Sequence, residues 1–218
     1  MTTSRRTFLR NVCLGTLGLC WAPARGESPL AKLVRSTPEA EGVSSAGILA
    51  FLEEMEATSQ ELHSFMMLRH GKVVAEGWWD PYAADLHHTM YSMSKSFTST
   101  AVGLAVSEGK LSVEDKVISF FPDELPATVS ENLAKLKVKH LLTMSVGNEK
   151  EPTGEVVKSE NWVRTFLAQN ISHEPGTVFL YNSAATYMCS AIVQKLTGQT
   201  VLDYLTPRLF APLGVSGM

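Results

Sequence analysis

Apolar positions along this chain switch between two periods, and the switches mark its elements. Ile48, Leu49, Leu52 and Met55 recur at helical spacing up to Thr58, with acids on the opposite face. Ser64 to Arg69 and Lys72 to Glu76 instead form two short runs around His70-Gly71. They predict a β-hairpin, with Gly71 supplying the positive φ of a tight turn. Helical spacing returns at Phe97, Ala101, Leu104 and Ala105 and stops at Gly109. Ser112 with Asp115 reads as an N-cap pair opening a short helix. Residues 120–132 form a connection containing proline and acids, and Leu133 to Met144 reads as one further helix. Residues 145–160 read as a polar loop. Ala184 to Leu196 is an apolar helix ended by Gly198, and Thr200 with Asp203 caps a last short one before Pro207 and Pro212.

The order is therefore a Pro/Ser/Glu-rich extended lead-in (25–46), a hairpin, and then helices with no further strand. A two-stranded hairpin is marginal alone. The expectation is an N-terminal fragment whose remaining strands lie beyond Met218. Ahead of the lead-in, Arg5-Arg6-Thr-Phe-Leu is followed by an apolar run from Val12 to Ala22 and the small-x-small Ala22-Pro23-Ala24. A charged region, an apolar region and a cleavage pattern in that order predict a signal peptide over 1–24, of the twin-arginine type. The expected location is periplasmic or secreted. Cleavage would remove three arginines and no acid, taking the net charge from −3 to −6, and would leave Cys189 as the one cysteine. No disulfide framework is then possible. The acidic balance argues against a nucleic-acid partner. No apolar run reaches the roughly 18 residues of a stable membrane span.

Two Ser-x-x-Lys spacings occur. Ser107-Glu108-Gly109-Lys110 straddles a helix stop and reads as surface. Ser92-Met93-Ser94-Lys95 opens a helix of small residues, where i, i+3 spacing brings hydroxyl and amine within hydrogen-bond reach. A serine hydroxyl is a poor nucleophile until a neighbouring base takes its proton, and a lysine whose pKa is lowered can be that base. A second element, Pro175-Gly176 to Tyr181-Asn182-Ser183, delivers an extended segment to a helix N-terminus. Tyr181 there can share the proton of Ser92, while Asn182 and Ser183 can cap the helix or bind substrate.

Taken together, Tyr91-Ser-Met-Ser-Lys-Ser-Phe97, Leu104 to Leu111, His140-Leu-Leu-Thr-Met-Ser-Val-Gly147, Pro175-Gly to Tyr181-Asn-Ser183 and Leu209-Phe-Ala-Pro-Leu-Gly214 resemble the serine β-lactamase-like superfamily. The resemblance runs over roughly residues 37–214. It implies an α/β fold of the β-lactamase/transpeptidase type: an antiparallel sheet with flanking helices and an inserted helical domain, here at roughly 110–200. It implies Ser92 as acylated nucleophile, Lys95 as its base partner, Tyr181 as second proton-transfer residue, and the Ser92 N–H as half of an oxyanion hole. Asn182 and Ser183 are the expected substrate-binding residues. Class C enzymes favour Tyr-x-Asn, so Ser183 leans the reading towards the esterase and amide-hydrolase branches. The family's third motif, Lys/His-Thr/Ser-Gly, has no match after Tyr181.

The resulting expectation is an exported hydrolase of small esters or amides with no metal or organic cofactor. The competing readings are a non-catalytic or slowly acylating ligand-binding or sensor protein on the same fold and an inactive truncated product. His87-His88, His140 and His173 lack metal-ligand spacing and read as surface or core residues. Trp78, Trp79, Tyr82 and Trp162 read as packing residues at least as readily as a pocket lining. Cys189 reads as a buried inert thiol, and Glu149 to Pro152 with Glu155 as a solvated loop.

Overall fold

The computed structural model describes residues 33–217, so the signal segment read over 1–24 lies outside the described residues. The chain divides into two compact units, one ending at Thr89 and one beginning at Met90.

The first unit is built on strand β3 (Lys72–Trp78). It lies between β2 (Ser64–Arg69), which pairs antiparallel, and β1 (Val34–Arg35), which pairs parallel. The hairpin is as read, though β3 runs two residues further than expected. The sheet is mixed rather than purely antiparallel, because the lead-in contributes β1. The turn needs more than Gly71: His70 (φ 50°) and Gly71 (φ 74°) are both left-handed, the requirement of a two-residue turn matched to strand twist. Being central, β3 buries Val73, Val74 and Ala75. Helix α1 (Ser45–Ala57) is capped by the Ser44 hydroxyl, which accepts from Gly47 N, and it buries Ile48 and Leu52 against Ala75. Glu41 ties the lead-in to the hairpin: its carboxylate accepts from Lys72 Nζ at 2.6 Å and meets His70 Nδ1 at 3.1 Å.

The second unit is helical and centres on α2 (Ser94–Ser107) and α7 (Ser183–Thr197). Both begin where the sequence places them and end at left-handed glycines, Gly109 (φ 68°) and Gly198 (φ 68°). Their packed faces carry small residues, Ala101 and Ala105 on α2 and Ala184 and Ala185 on α7, which let two helix backbones approach closely. Met188, Ile192 and Val193 extend this core. Helix α8 (Val201–Leu205) is capped by Thr200 as read. It inserts Tyr204, and Arg208 lies 4.0 Å over that ring while donating to Glu108 at the end of α2 at 2.7 Å.

Three expectations are corrected here. The helix read from Leu133 to Met144 is two, α3 (Glu131–Lys135) and α4 (Val138–Leu142). Between them Leu136 is extended and fully buried, and its carbonyl accepts from Val117 N at 2.9 Å. Burying Leu136 outweighs continuing the helix. The Asp115 carboxylate accepts from Ser112 N at 2.8 Å and the Ser112 hydroxyl accepts from Glu114 N at 3.1 Å, but these bonds close a turn, and a 3₁₀ turn follows at Val117–Phe120. The polar loop at 145–160 contains α5 (Thr153–Val156) and buries Val146, Asn148 and Val156. Helix α6 (Trp162–Leu167), which no periodicity had marked, sets Trp162 edge-on to Tyr187 with ring centroids 4.9 Å apart.

Hydrogen bonds from Lys72, Ser36 and His70, in that order, hold the Glu41 carboxyl down at about 2, against 4.5 for a free group. A depressed folded-state pKa adds stability that is fully present above the unfolded value and lost as pH falls through the folded one. Chemical denaturation of the wild type between pH 5 and pH 2 should therefore show a stability loss that Glu41→Gln lacks, the two proteins converging at the acid end.

Candidate active site

Helix α2 is entered through a 3₁₀ turn, Tyr91–Met93. In such a turn residues three apart eclipse one another. Ser92 and Lys95 are thereby stacked, and Lys95 Nζ donates to Ser92 Oγ at 3.4 Å. The turn is entered at a cost. Tyr91 sits at φ 44° without being glycine, a conformation worth about 1–3 kcal/mol of strain that clusters at functional sites. Ser92 is exposed and Lys95 half-buried. The Ser92 N–H has no hydrogen bond among the described residues.

Tyr181 arrives from 89 residues away. Its phenol and the Ser92 hydroxyl share a 2.5 Å hydrogen bond, and Lys95 Nζ lies 5.1 Å from its ring centre. The bond with Ser92, followed by that with Lys95, holds the phenol below the ordinary tyrosine range. The structure thus brings together all three residues that sequence reasoning assigned to catalysis. A hydroxyl joined to an amine and an acidified phenol in one hydrogen-bond network has neighbours to which its proton can pass.

Asn182 takes the capping role of the two that the sequence left open. Asn182 is 1% exposed and its Oδ1 accepts from Ala185 N at 2.9 Å, starting α7. Its side chain is thus engaged at the helix start and with Asn148. The Ser183 backbone N–H donates to Glu151 Oε1 at 3.0 Å, and its side chain is half-buried at the first turn of the helix.

Several contributors went unread in the sequence. Glu151, assigned to a solvated loop, receives Ser183 N, Thr153 N and the Thr153 hydroxyl. Thr153 Oγ1 in turn accepts from Ala184 N at 2.9 Å. A carboxylate at a helix N-terminus satisfies free N–H groups and opposes the positive end of the dipole. Residues 144–148 are laced to 170–182. Leu180 N donates to Met144 O, Gly176 N to Ser145 O, and His173 N to Gly147 O, at 3.0, 2.8 and 3.0 Å. Gly147 (φ 99°) runs so close to that segment that a Cβ would stand 2.3 Å from His173 O. The signal for this strap lay in the His140–Gly147 segment, which closes on a glycine.

His140, His88, Tyr82 and Cys189, also singled out in the sequence, have surroundings of their own. His140 Nδ1 accepts from Lys137 N at 3.2 Å at the head of α4. His88 meets His63 at 2.7 Å, and Tyr82 stacks on His63 at 4.0 Å. Cys189 is buried, and burial pushes its thiol up to about 12, the inert state expected.

With these elements in place, the comparison with known proteins is specific. The chain belongs to the beta-lactamase family, whose model matches residues 31–218. It is 32% identical over 217 residues to the 6-aminohexanoate-dimer hydrolase of Paenarthrobacter ureafaciens, covering 88% of this chain and 55% of that protein. It is 25% identical over 174 residues to the D-aminopeptidase of Brucella anthropi, covering 78% of this chain and 31% of the relative. Among solved structures it matches the octameric penicillin-binding protein homologue from Pyrococcus abyssi with a TM-score of 0.59 at 23% identity, covering 78% of this chain and 43% of the other. The fold is of the β-lactamase/transpeptidase type, and the chain spans between a third and about half of these relatives' lengths.

The strap yields a test. Gly147→Ala should destabilise the protein by about 1–3 kcal/mol, from strain at positive φ and from the clash with His173 O. Gly154→Ala, whose Cβ would meet nothing within 4 Å, should leave the urea midpoint unchanged or slightly raised.

Proposed function

We propose that the protein carrying this chain hydrolyses a small ester or amide through an acyl-enzyme on Ser92. The observation that carries this reading is the single network in which Ser92 Oγ meets Tyr181 Oη at 2.5 Å and Lys95 Nζ at 3.4 Å. In the proposed reaction Ser92 Oγ attacks the carbonyl carbon and gives its proton to the Lys95–Tyr181 pair. The pair returns that proton to the departing alcohol or amine. Water then attacks the acyl carbon and loses a proton to the pair, which passes it to Ser92 Oγ as the bond from Oγ to the acyl carbon breaks and the acid leaves. The exposed Ser92 N–H at the turn is one donor to the developing oxyanion. Hydrogen bonds with Ser92 and Lys95 lower the Tyr181 phenol, which supports its ionised form as a proton acceptor. Relatives named as a dimer hydrolase and an aminopeptidase support hydrolysis as the reaction class. Ser183 in place of the asparagine of class C enzymes favours linear esters and amides over β-lactams.

The full chain should be labelled at Ser92 by a serine-directed phosphonate, read by peptide mass spectrometry, and Ser92→Ala should abolish labelling. Lys95→Ala should slow acylation by about 10²–10⁴. Short p-nitrophenyl esters should turn over faster than cephalosporins. Labelling that persists at Ser94 or Ser107 sinks the nucleophile assignment. Efficient cephalosporin turnover with negligible ester turnover reverses the substrate ranking. Acylation by both without turnover marks a sensor.

We further infer export through the twin-arginine route, supported by Arg5-Arg6-Thr-Phe-Leu, the apolar run to Ala22 and Ala22-Pro23-Ala24. N-terminal sequencing of the periplasmic protein should begin after Ala24, and Arg5→Lys with Arg6→Lys should retain the precursor in the cytoplasm. An unprocessed wild-type N-terminus in the cytoplasmic fraction would count against export.

A further inference from the structure

Tyr181 is 46% exposed. A ring so open to solvent is held mainly through its own backbone, and its phenol meets Ser92 only while residues 180–182 keep their place. On one side Leu180 N is fixed to Met144 O at 3.0 Å. On the other side the anchor is a chain of buried amides. Asn182 Nδ2 donates to Asn148 Oδ1 at 3.2 Å, and Asn148 Nδ2 donates to the Asn170 carbonyl at 2.9 Å. Asn148 is 4% exposed and Asn182 1%. Asn182 Oδ1 is already committed to Ala185 N, so the one side-chain link from the residue after Tyr181 to the strap runs through Asn148.

We propose that Asn148 is a positioning residue for Tyr181, acting through Asn182; the role rests on the acyl-transfer reading of Ser92, Lys95 and Tyr181. Buried amides have no water to replace a lost partner, so removing one leaves the next unsatisfied and free to turn. Rotation at Asn182 swings the adjoining Cα of Tyr181. A displacement of about 1 Å at the phenol breaks a 2.5 Å contact, and misplacement of that size costs on the order of 10²-fold in rate. The side-chain hydrogen bonds of Asn148 go to Asn182 and Asn170 rather than to Ser92 or Tyr181, so its effect is carried by geometry.

The test uses the full chain and a readout that needs no turnover. Ionisation of Tyr181 is followed as the difference in phenolate absorbance between each protein and its Tyr181→Phe counterpart. Asn148→Ala should move that titration upward towards the ordinary tyrosine value, because the hydrogen bonds that lower it are lost. It should also slow phosphonate labelling of Ser92 by about tenfold or more. Asn182→Asp keeps the acceptor that caps α7 but cannot donate to Asn148, and it should give the same upward shift with the helix content retained and a lowered melting temperature, since Asn148 Oδ1 loses its donor. If Asn148→Ala yields no folded protein, Asn182→Asp decides alone. A titration and labelling rate unchanged in the folded variants overturn the proposal, and so does a lowered melting temperature with an unmoved titration. Should Ser92→Ala leave labelling intact, the acyl-transfer reading fails, while the Tyr181 titration still judges Asn148.

Discussion

One buried side chain couples the helical core to the chemistry. Asn182 stands between Tyr181, which faces solvent, and α7, whose face is packed into the second unit's core. Its Oδ1 starts the helix by satisfying Ala185 N, and its Nδ2 reaches back to Asn148. A fully buried amide tolerates few alternatives, since each unpaired polar atom in a dry setting costs about 1–3 kcal/mol. The helix start, the direction of the chain before it and the position of the phenol are therefore set by one residue. Glu151 and Thr153 reinforce the same helix end from a separate segment.

Ser92, the proposed nucleophile, is placed by a different device. Ser92 lies on a short 3₁₀ turn ahead of α2, and Tyr91 before it holds a left-handed backbone. Helix α2 is anchored by Ala101, Val102 and Ala105 in the core shared with α7. The two helices that pack against each other thus carry the two halves of the site at their N-terminal ends. Packing of α2 on α7 and the direct bond between Ser92 and Tyr181 both bear on how far apart those ends stand.

In the first unit the polar anchor is Glu41, a buried carboxylate that gathers Lys72 and His70 from the hairpin turn. Arg35 and Glu76 make a second tie between β1 and β3. Such pairs fix register more than they add stability. They explain how a two-residue strand is retained at the edge of a three-stranded sheet.

Some of this architecture was written in local sequence. The hairpin around His70-Gly71, the helices ending at Gly109 and Gly198, the Thr200 cap and the Ser92–Lys95 pair all follow from interactions spanning a few residues, which spacing and turn chemistry report directly. Tyr181 was legible too, because a turn, an extended run and a helix start are local signals, although nothing local says that it reaches Ser92. The break at Leu136, the strand at Val34–Arg35, helix α6 and the burial of Asn148 left no such trace. Each exists because a distant partner (Val117, Lys72 and Val73, Tyr187, and Asn170 with Asn182) supplies the missing hydrogen bond or apolar contact. The sequence by itself determined which groups can do chemistry and where helices start and stop. Only the tertiary structure decided which residues hold those groups in place, because that choice depends on contacts between segments tens of residues apart.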